Sequence, residues 1–446
     1  MNIMRIVAVV TLVAAGVLGG GCAGECSSRD RVVYLLEAGR ACQAAGDVAE
    51  SRRCFDEVHE MLRPYLDTKP ENRVTEGVTT TLVNQTMAEY KGAPSERTMA
   101  SALNALNLIA LRDLDAARIE LNRAADWQQD TKNRFAAEIE ARNRKNEEAA
   151  KEKGVSVSRE HMLKVDEKVA SHFENIENLQ GYAEFANPFI NHLRGIYYLA
   201  AGSDMGDRDT ARFEFRQVAG MTPEARPMLE ADLLLADSAG GRPTPTTWVY
   251  FFTGLAPRLE ELYIPIPIPV GGVNFVSAAF PVMKFDDDFA QVMVVRASGA
   301  AVETTLLADM DRIVASEFRT RLPTIILQEV LSSTIKAAAA WAAKKQNIWA
   351  QLVAMGYQAA STAADLRTWR TLPKRIGFCR IPTPADGRLE FEAGRPIGAC
   401  AVVPGTCNIV LVTLPASRTP SASILTAPFQ LQAVAAPTTF PKANTR

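Results

Sequence analysis

Histidine is scarce in this sequence, and neither sign of charge is in excess. Four histidines stand scattered among 446 residues, at His59, His161, His172 and His192, and no further ligand stands at metal spacing beside His161 or His172. No glycine-rich phosphate loop and no nucleophile-elbow serine occurs, so the usual catalytic constellations are missing. Glycan cleavage needs only two acids, and Asp309, Asp311 and Glu317 are the carboxylates a hydrolase would draw on. A formal net charge of -2 lacks the basic excess of a phosphate-binding surface, which argues against nucleic acid as a partner. No cofactor is implied.

What is present is enough apolar material for large cores. Hydrophobic residues make up 47% of the chain and charged ones 22%, and the length suits two or three domains. Residues 33–64, VYLLEAGRACQAAGDVAESRRCFDEVHEMLRP, read as two amphipathic helices around a Gly-Asp turn. Their spacing resembles a tetratricopeptide (TPR) repeat, with Gly39 at a close helix contact, Gly46 in the turn, and Ser51, Phe55 and Val58 as small, large and small places of the second helix. Ala105, Arg112, Ala117, Leu121 and Ala124 take these places in a second copy, and Gly195, Tyr198, Ala211, Phe215 and Pro223 those of a third. Such positions are structural, and what stacked helix pairs offer is an interaction surface. Between the second and third copies, about residues 128–180, lies a stretch dense in Glu, Lys, Arg and Ala. It reads as a solvated helical hairpin broken near Gly154, with a disordered linker as the alternative.

The N-terminus carries Arg5 and then an apolar run from Ile6 to Leu18, the layout of a secretory signal and too short to span a membrane. LGGGCAG follows and resembles the lipobox of bacterial lipoproteins, although Leu18 stands one place further back than in that motif. Residues 1–21 are therefore expected as a signal peptide, Cys22 as the lipidated residue, and 22–30 as an anchor linker; plain cleavage to a soluble periplasmic product is the other reading. Export would permit disulfides. Cys400 and Cys407 flank the turn-rich AVVPGT and are either a local disulfide or two buried thiols.

The helical pattern stops at SAGGRPTPTT, which marks a domain boundary near 240–246. WVYFFTGL reads as a strand buried on both faces, whereas IPIPIPV is confined to an edge because alternate prolines remove ladder donors. The second domain, 246–420, is expected to hold strands over 247–297, helices over 304–366 with Pro323 opening the second of three, and strands over 375–414. Pro-Asp-Gly at 384–387 signals a hairpin, and 421–446 a flexible tail. Arg367, Arg370, Lys374 and Arg375 around Trp369 form the sharpest basic-aromatic cluster: either a binding patch for an anionic polymer, lipid head groups or an acidic partner, or arginines that cap helices and pair with local acids.

Together the exported cysteine, the TPR-like first half and the segments NPFINHLRGIYYLAAGSD, TLLADMDRIVASEFRTRLP and ADLRTWRTLPKRIGFCRIPTPADG resemble a family of bacterial TPR-repeat-containing lipoproteins of the periplasm or outer membrane. The likeness runs from about Arg31 to Glu392 and brings no catalytic residues with it. It implies a multidomain α+β protein, an N-terminal all-α TPR-like repeat domain (31–240) followed by a β-rich domain with a helical insertion, held at the periplasmic face of the outer membrane and binding protein partners of the cell envelope. A component of a secretion or surface-structure complex and a periplasmic hydrolase are the alternatives.

Overall fold

A computed structural model describes residues 27–69, 88–182, 185–237, 243–270, 273–346 and 363–429. The signal sequence and Cys22, residues 238–242, which include the start of the boundary expected at 240–246, and the chain end from 430 lie outside the described residues.

The protein mixes helix and sheet. Three helix pairs form as the periodicity predicts: α1 (Arg31–Ala45) with α2 (Val48–Leu66), α3 (Pro94–Ala110) with α4 (Leu114–Glu152), and, after α5 (Arg159–Ala170) and the one-turn α6 (Glu174–Glu177), α7 (Pro188–Ala201) with α8 (Met205–Met221) and then α9 (Arg226–Asp237). Aspartates start the second members, Asp47 accepting from Glu50 N, Asp113 from Ala116 N and Asp204 from Asp207 N, which satisfies otherwise orphaned donors. The small and large places interlock. A Cβ on Gly39 would lie 2.9 Å from Phe55, and one on Gly195 2.6 Å from Phe215. Gly46 closes α1 at φ 85°, and Arg112, its counterpart in the second pair, keeps the left-handed turn at φ 64°.

The sheets occupy the second half. A five-stranded sheet runs in the order β11 (Ser423–Pro428), β10 (Asn408–Leu414), β1 (Thr246–Thr253), β7 (Arg375–Pro382), β6 (Thr305–Asp309), antiparallel except for the parallel pair β1 and β10. β1 is central and buried along its whole length, as its two-faced apolarity requires. Trp248, Tyr250 and Phe252 face the helices, and Val249 and Phe251 face a four-stranded antiparallel sheet of β5 (Ala300–Glu303), β4 (Val294–Ala297), β8 (Arg388–Glu392) and β9 (Pro396–Ala401). The outcome is three layers, with helices, sheet and sheet in that order. Among the described residues the proline-rich β2 (Arg258–Val270) pairs only with β3 (Val273–Lys284), the confinement that its missing N–H groups impose.

Several expectations are corrected. The halves do not have separate cores: one hydrophobic cluster joins Phe55, Leu103, Phe189 and Phe215 of the helices to Trp248, Phe378, Leu411 and Trp369. The charged segment forms its helical hairpin, but one side of the hairpin is packed rather than solvated. Val165 and Val169 of α5 join Ile264, Ile266 and Phe280 of the β2–β3 ribbon, and Ala149, Ala150 and Val155 meet Leu331. TLLAD, expected as the start of a helix, is edge strand β6. One continuous helix, α10 (Met310–Gln346), then passes through Pro323 without ending, held by packing against the ribbon and the end of α4. The third expected helix, from 347 to 362, is outside the described residues. The turn at Gly387 links two sheets instead of making a hairpin, since β7 pairs with β1 and β6 while β8 pairs with β4 and β9. Residues 423–428 of the expected flexible tail are β11. Among the described residues no helix is long and apolar enough to cross a membrane.

Candidate functional site

The basic-aromatic cluster is not a surface patch. Trp369 is fully buried and tilts against Phe55, with ring centroids 5.8 Å apart. Its loop is strapped to the helix layer by two acids: Glu96 accepts from Trp369 N at 2.6 Å, and Glu37 accepts from Arg370 N at 2.6 Å. Arg367 pairs with Asp365 and Asp30, Arg375 with Asp309, and the buried Lys374 with Asp311. Arg367, Trp369 and Arg370 therefore tie the loop to the helix layer, Lys374 ties it to the helix that begins at Met310, and Arg375 joins β7 to β6 within the sheet. Of the two readings left open for Cys400 and Cys407, the structure has the thiols, Cys400 packed between the sheets and Cys407 on the helix-facing side, so the central sheet separates them. Burial pushes the Cys400 thiol up to about 12.

The three carboxylates proposed for hydrolysis do not share a cleft. Asp309 and Asp311 are neighbours tied to Arg375 and Lys374, whereas Glu317 is buried against α3 and accepts from Ser95 Oγ at 2.7 Å. Burial pushes Glu317 up to about 7, opposed by the Ser95 hydrogen bond and reinforced by the charge of Glu96. A carboxyl whose pKa is raised on folding contributes stability that is complete below the unfolded value, near 4.5, and is lost as pH rises through about 7. Glu317→Gln should therefore match the wild type near pH 4 and be the more stable above pH 7, by roughly 2–3 kcal/mol. Urea midpoints taken across that range would check this, and parallel pH profiles would refute it.

Two other features were not located from sequence. Four large apolar side chains on the helix layer, Ile119 of α4, Met205 and Phe213 of α8, and Leu234 of α9, are each more than half exposed. They flank the Arg118–Asp207 and Arg212–Asp237 ion pairs, which join the same helices.

The second feature is a pocket of about 200 Å³ lined by His59, Glu60, Arg63, Leu66, Asp67, Arg123 and Trp127. Around His59 three helices each bring two side chains, three residues apart, into one cluster: Asp56 and His59 of α2, Ser101 and Asn104 of α3, and Glu120 and Arg123 of α4. Arg123 Nη1 lies 2.7 Å from His59 Nδ1 and also contacts Glu120. The Ser101 hydroxyl sits 3.2 Å from His59 Nε2. An arginine only donates, so Nδ1 accepts and Nε2 carries the ring proton toward Ser101. In that tautomer His59 is no base for the serine, and the trio is not a nucleophilic triad. Burial pushes the Glu120 carboxyl up, but its interactions with the neighbouring His59 and Arg123 side chains outweigh this and hold the group below its ordinary value. The i,i+3 spacing of D-x-x-H, S-x-x-N and E-x-x-R is the only sequence trace of this cluster, and it carries no signal until the helices are brought together.

No protein-family model, curated protein or solved structure matches the chain.

Proposed function

We propose that this chain is a non-catalytic, lipid-anchored protein of the bacterial cell envelope whose TPR-like helix pairs hold a protein partner. The observation that carries the reading is the set of exposed apolar side chains Ile119, Met205, Phe213 and Leu234 on α4, α8 and α9, since large exposed apolar side chains grouped on one layer mark interaction surfaces more often than they serve a lone chain. The ion pairs between them fix α4, α8 and α9 relative to one another, so the surface is pre-organised. The anchor rests on the sequence at Cys22.

A photo-reactive residue at Phe213 is expected to give one recurrent crosslinked product in a bacterial host, while the same probe at exposed Glu167 of α5 does not. Leu234→Asp should cut the yield of that product severalfold and leave thermal unfolding unchanged, as surface changes usually do. Equal labelling from both positions would remove the partner surface. In the same cells Cys22→Ser should move the chain from the membrane to the soluble fraction, and an unchanged distribution would remove the anchor.

A further inference from the structure

The cluster around His59 is frustrated in a particular way. His59 Nδ1 takes a hydrogen from Arg123, so it has none to give to Glu120 Oε2, which lies 3.4 Å from it. That oxygen is buried and has no hydrogen-bond partner among the described residues, and the same is true of Asn104 Oδ1 in the same cluster. Two electron-pair donors face each other across 3.4 Å, and such a pair is stabilised by a shared cation. Two ligands bound at about 2.1 Å and a tetrahedral angle are themselves about 3.4 Å apart. Asp56 completes a set of three, whose ligand atoms all lie within 4.8 Å of one another.

We propose that Asp56, His59 and Glu120 form a binding site for a divalent first-row transition-metal ion, with the Arg123 guanidinium as the competing cation. The supporting groups fit. Metal-bound imidazoles are normally oriented by a hydrogen bond from the other ring nitrogen, here His59 Nε2 toward Ser101, and ligating carboxylates are held in turn, here Asp56 by Asn104 Nδ2 at 2.8 Å. One imidazole with two carboxylates suits Mn²⁺, Fe²⁺ or Zn²⁺ better than Mg²⁺ or Ca²⁺. Arg123 is one-third exposed and lines the pocket, where Glu60 and Asp67 can receive it once an ion has taken its place.

Mn²⁺ is the first probe because thiolates compete poorly for it, which sets aside the cysteines of the chain. Titration of the purified full chain with Mn²⁺, followed by electron paramagnetic resonance, should show one bound ion that Zn²⁺ displaces. His59→Ala should weaken binding by about a hundredfold and Glu120→Gln, which keeps the side-chain shape, by tenfold or more. Arg123→Ala removes the competitor and should tighten it. Binding seen only in Arg123→Ala, and lost again when His59→Ala is added, would still support the site. No bound ion in either the wild type or Arg123→Ala, or binding indifferent to His59→Ala and Glu120→Gln, would overturn it.

Discussion

Replacing Asp232 with alanine should lower the stability of the whole chain by about 3–5 kcal/mol, the usual cost of removing one partner from a buried charged network. Asp232 is fully buried on α9 and serves three elements. Its Oδ1 accepts from Trp248 Nε1 of β1 at 2.9 Å, and its Oδ2 lies 3.2 Å from His192 Nε2 of α7. Arg380 of β7 approaches Oδ1 to 3.0 Å as an ion pair without hydrogen-bond alignment. A carboxylate accepts only, so His192 carries its proton on Nε2 and Nδ1 takes the Tyr250 hydroxyl hydrogen at 2.8 Å. The alanine variant strands the Trp248 and His192 donors and the Arg380 charge in a region closed to water. Asp232→Asn keeps one acceptor and should lose less. Urea unfolding checks the magnitude, and a loss under about 1 kcal/mol for the alanine variant would mean that water or a shifted side chain replaces the carboxylate. Because the network and the largest hydrophobic cluster both cross from helix to sheet, helical and aromatic signals should disappear together in the wild type.

That crossing is what the sequence conceals. Local features were legible: Gly39 opposite Phe55, Gly195 opposite Phe215, the two-faced strand WVYFFT and the edge position of IPIPIP each follow from spacing within a few residues. Longer reach was not. β1 lies parallel to β10, with Trp248 opposite Ile409, and no short-range pattern specifies that partner. β6 was read as helix because five apolar-rich residues directly precede a true helix, and only pairing with β7 makes them strand. Pro323 fails to end α10 because packing on both sides outweighs one lost hydrogen bond and a local clash.

The candidate sites divide in the same way. Basic and aromatic residues close together in sequence read as a surface because only Asp365 is an acid close by in the chain. The other acids that hold the loop come from far away, Asp30 and Glu37 near the start and Glu96 on α3. Conversely the Asp56, His59 and Glu120 cluster spreads over two helix pairs, so no single stretch displays it.

Trp369 gives the sharpest test of this reassignment. A tryptophan in an exposed binding patch costs little stability when truncated, whereas a fully buried one costs about 3–5 kcal/mol. Trp369 has no exposed surface, packs against Phe55 of the first helix pair and donates from Nε1 to Thr371 Oγ1 at 2.9 Å. Trp369→Ala would open a cavity where the loop meets α1, α2 and α3 and strand a polar contact with it. It would also loosen the backbone that donates to Glu96, so the loss should sit at the upper end of that range. Trp369→Phe keeps most of the volume and forfeits only the Nε1 bond, which places its cost near 1–2 kcal/mol. Denaturant midpoints for the two variants should therefore fall well apart, in that order. If both stay within about 0.5 kcal/mol of the wild type, the loop is not anchored through its tryptophan, and the residues from Arg367 to Arg375 return to being a candidate surface.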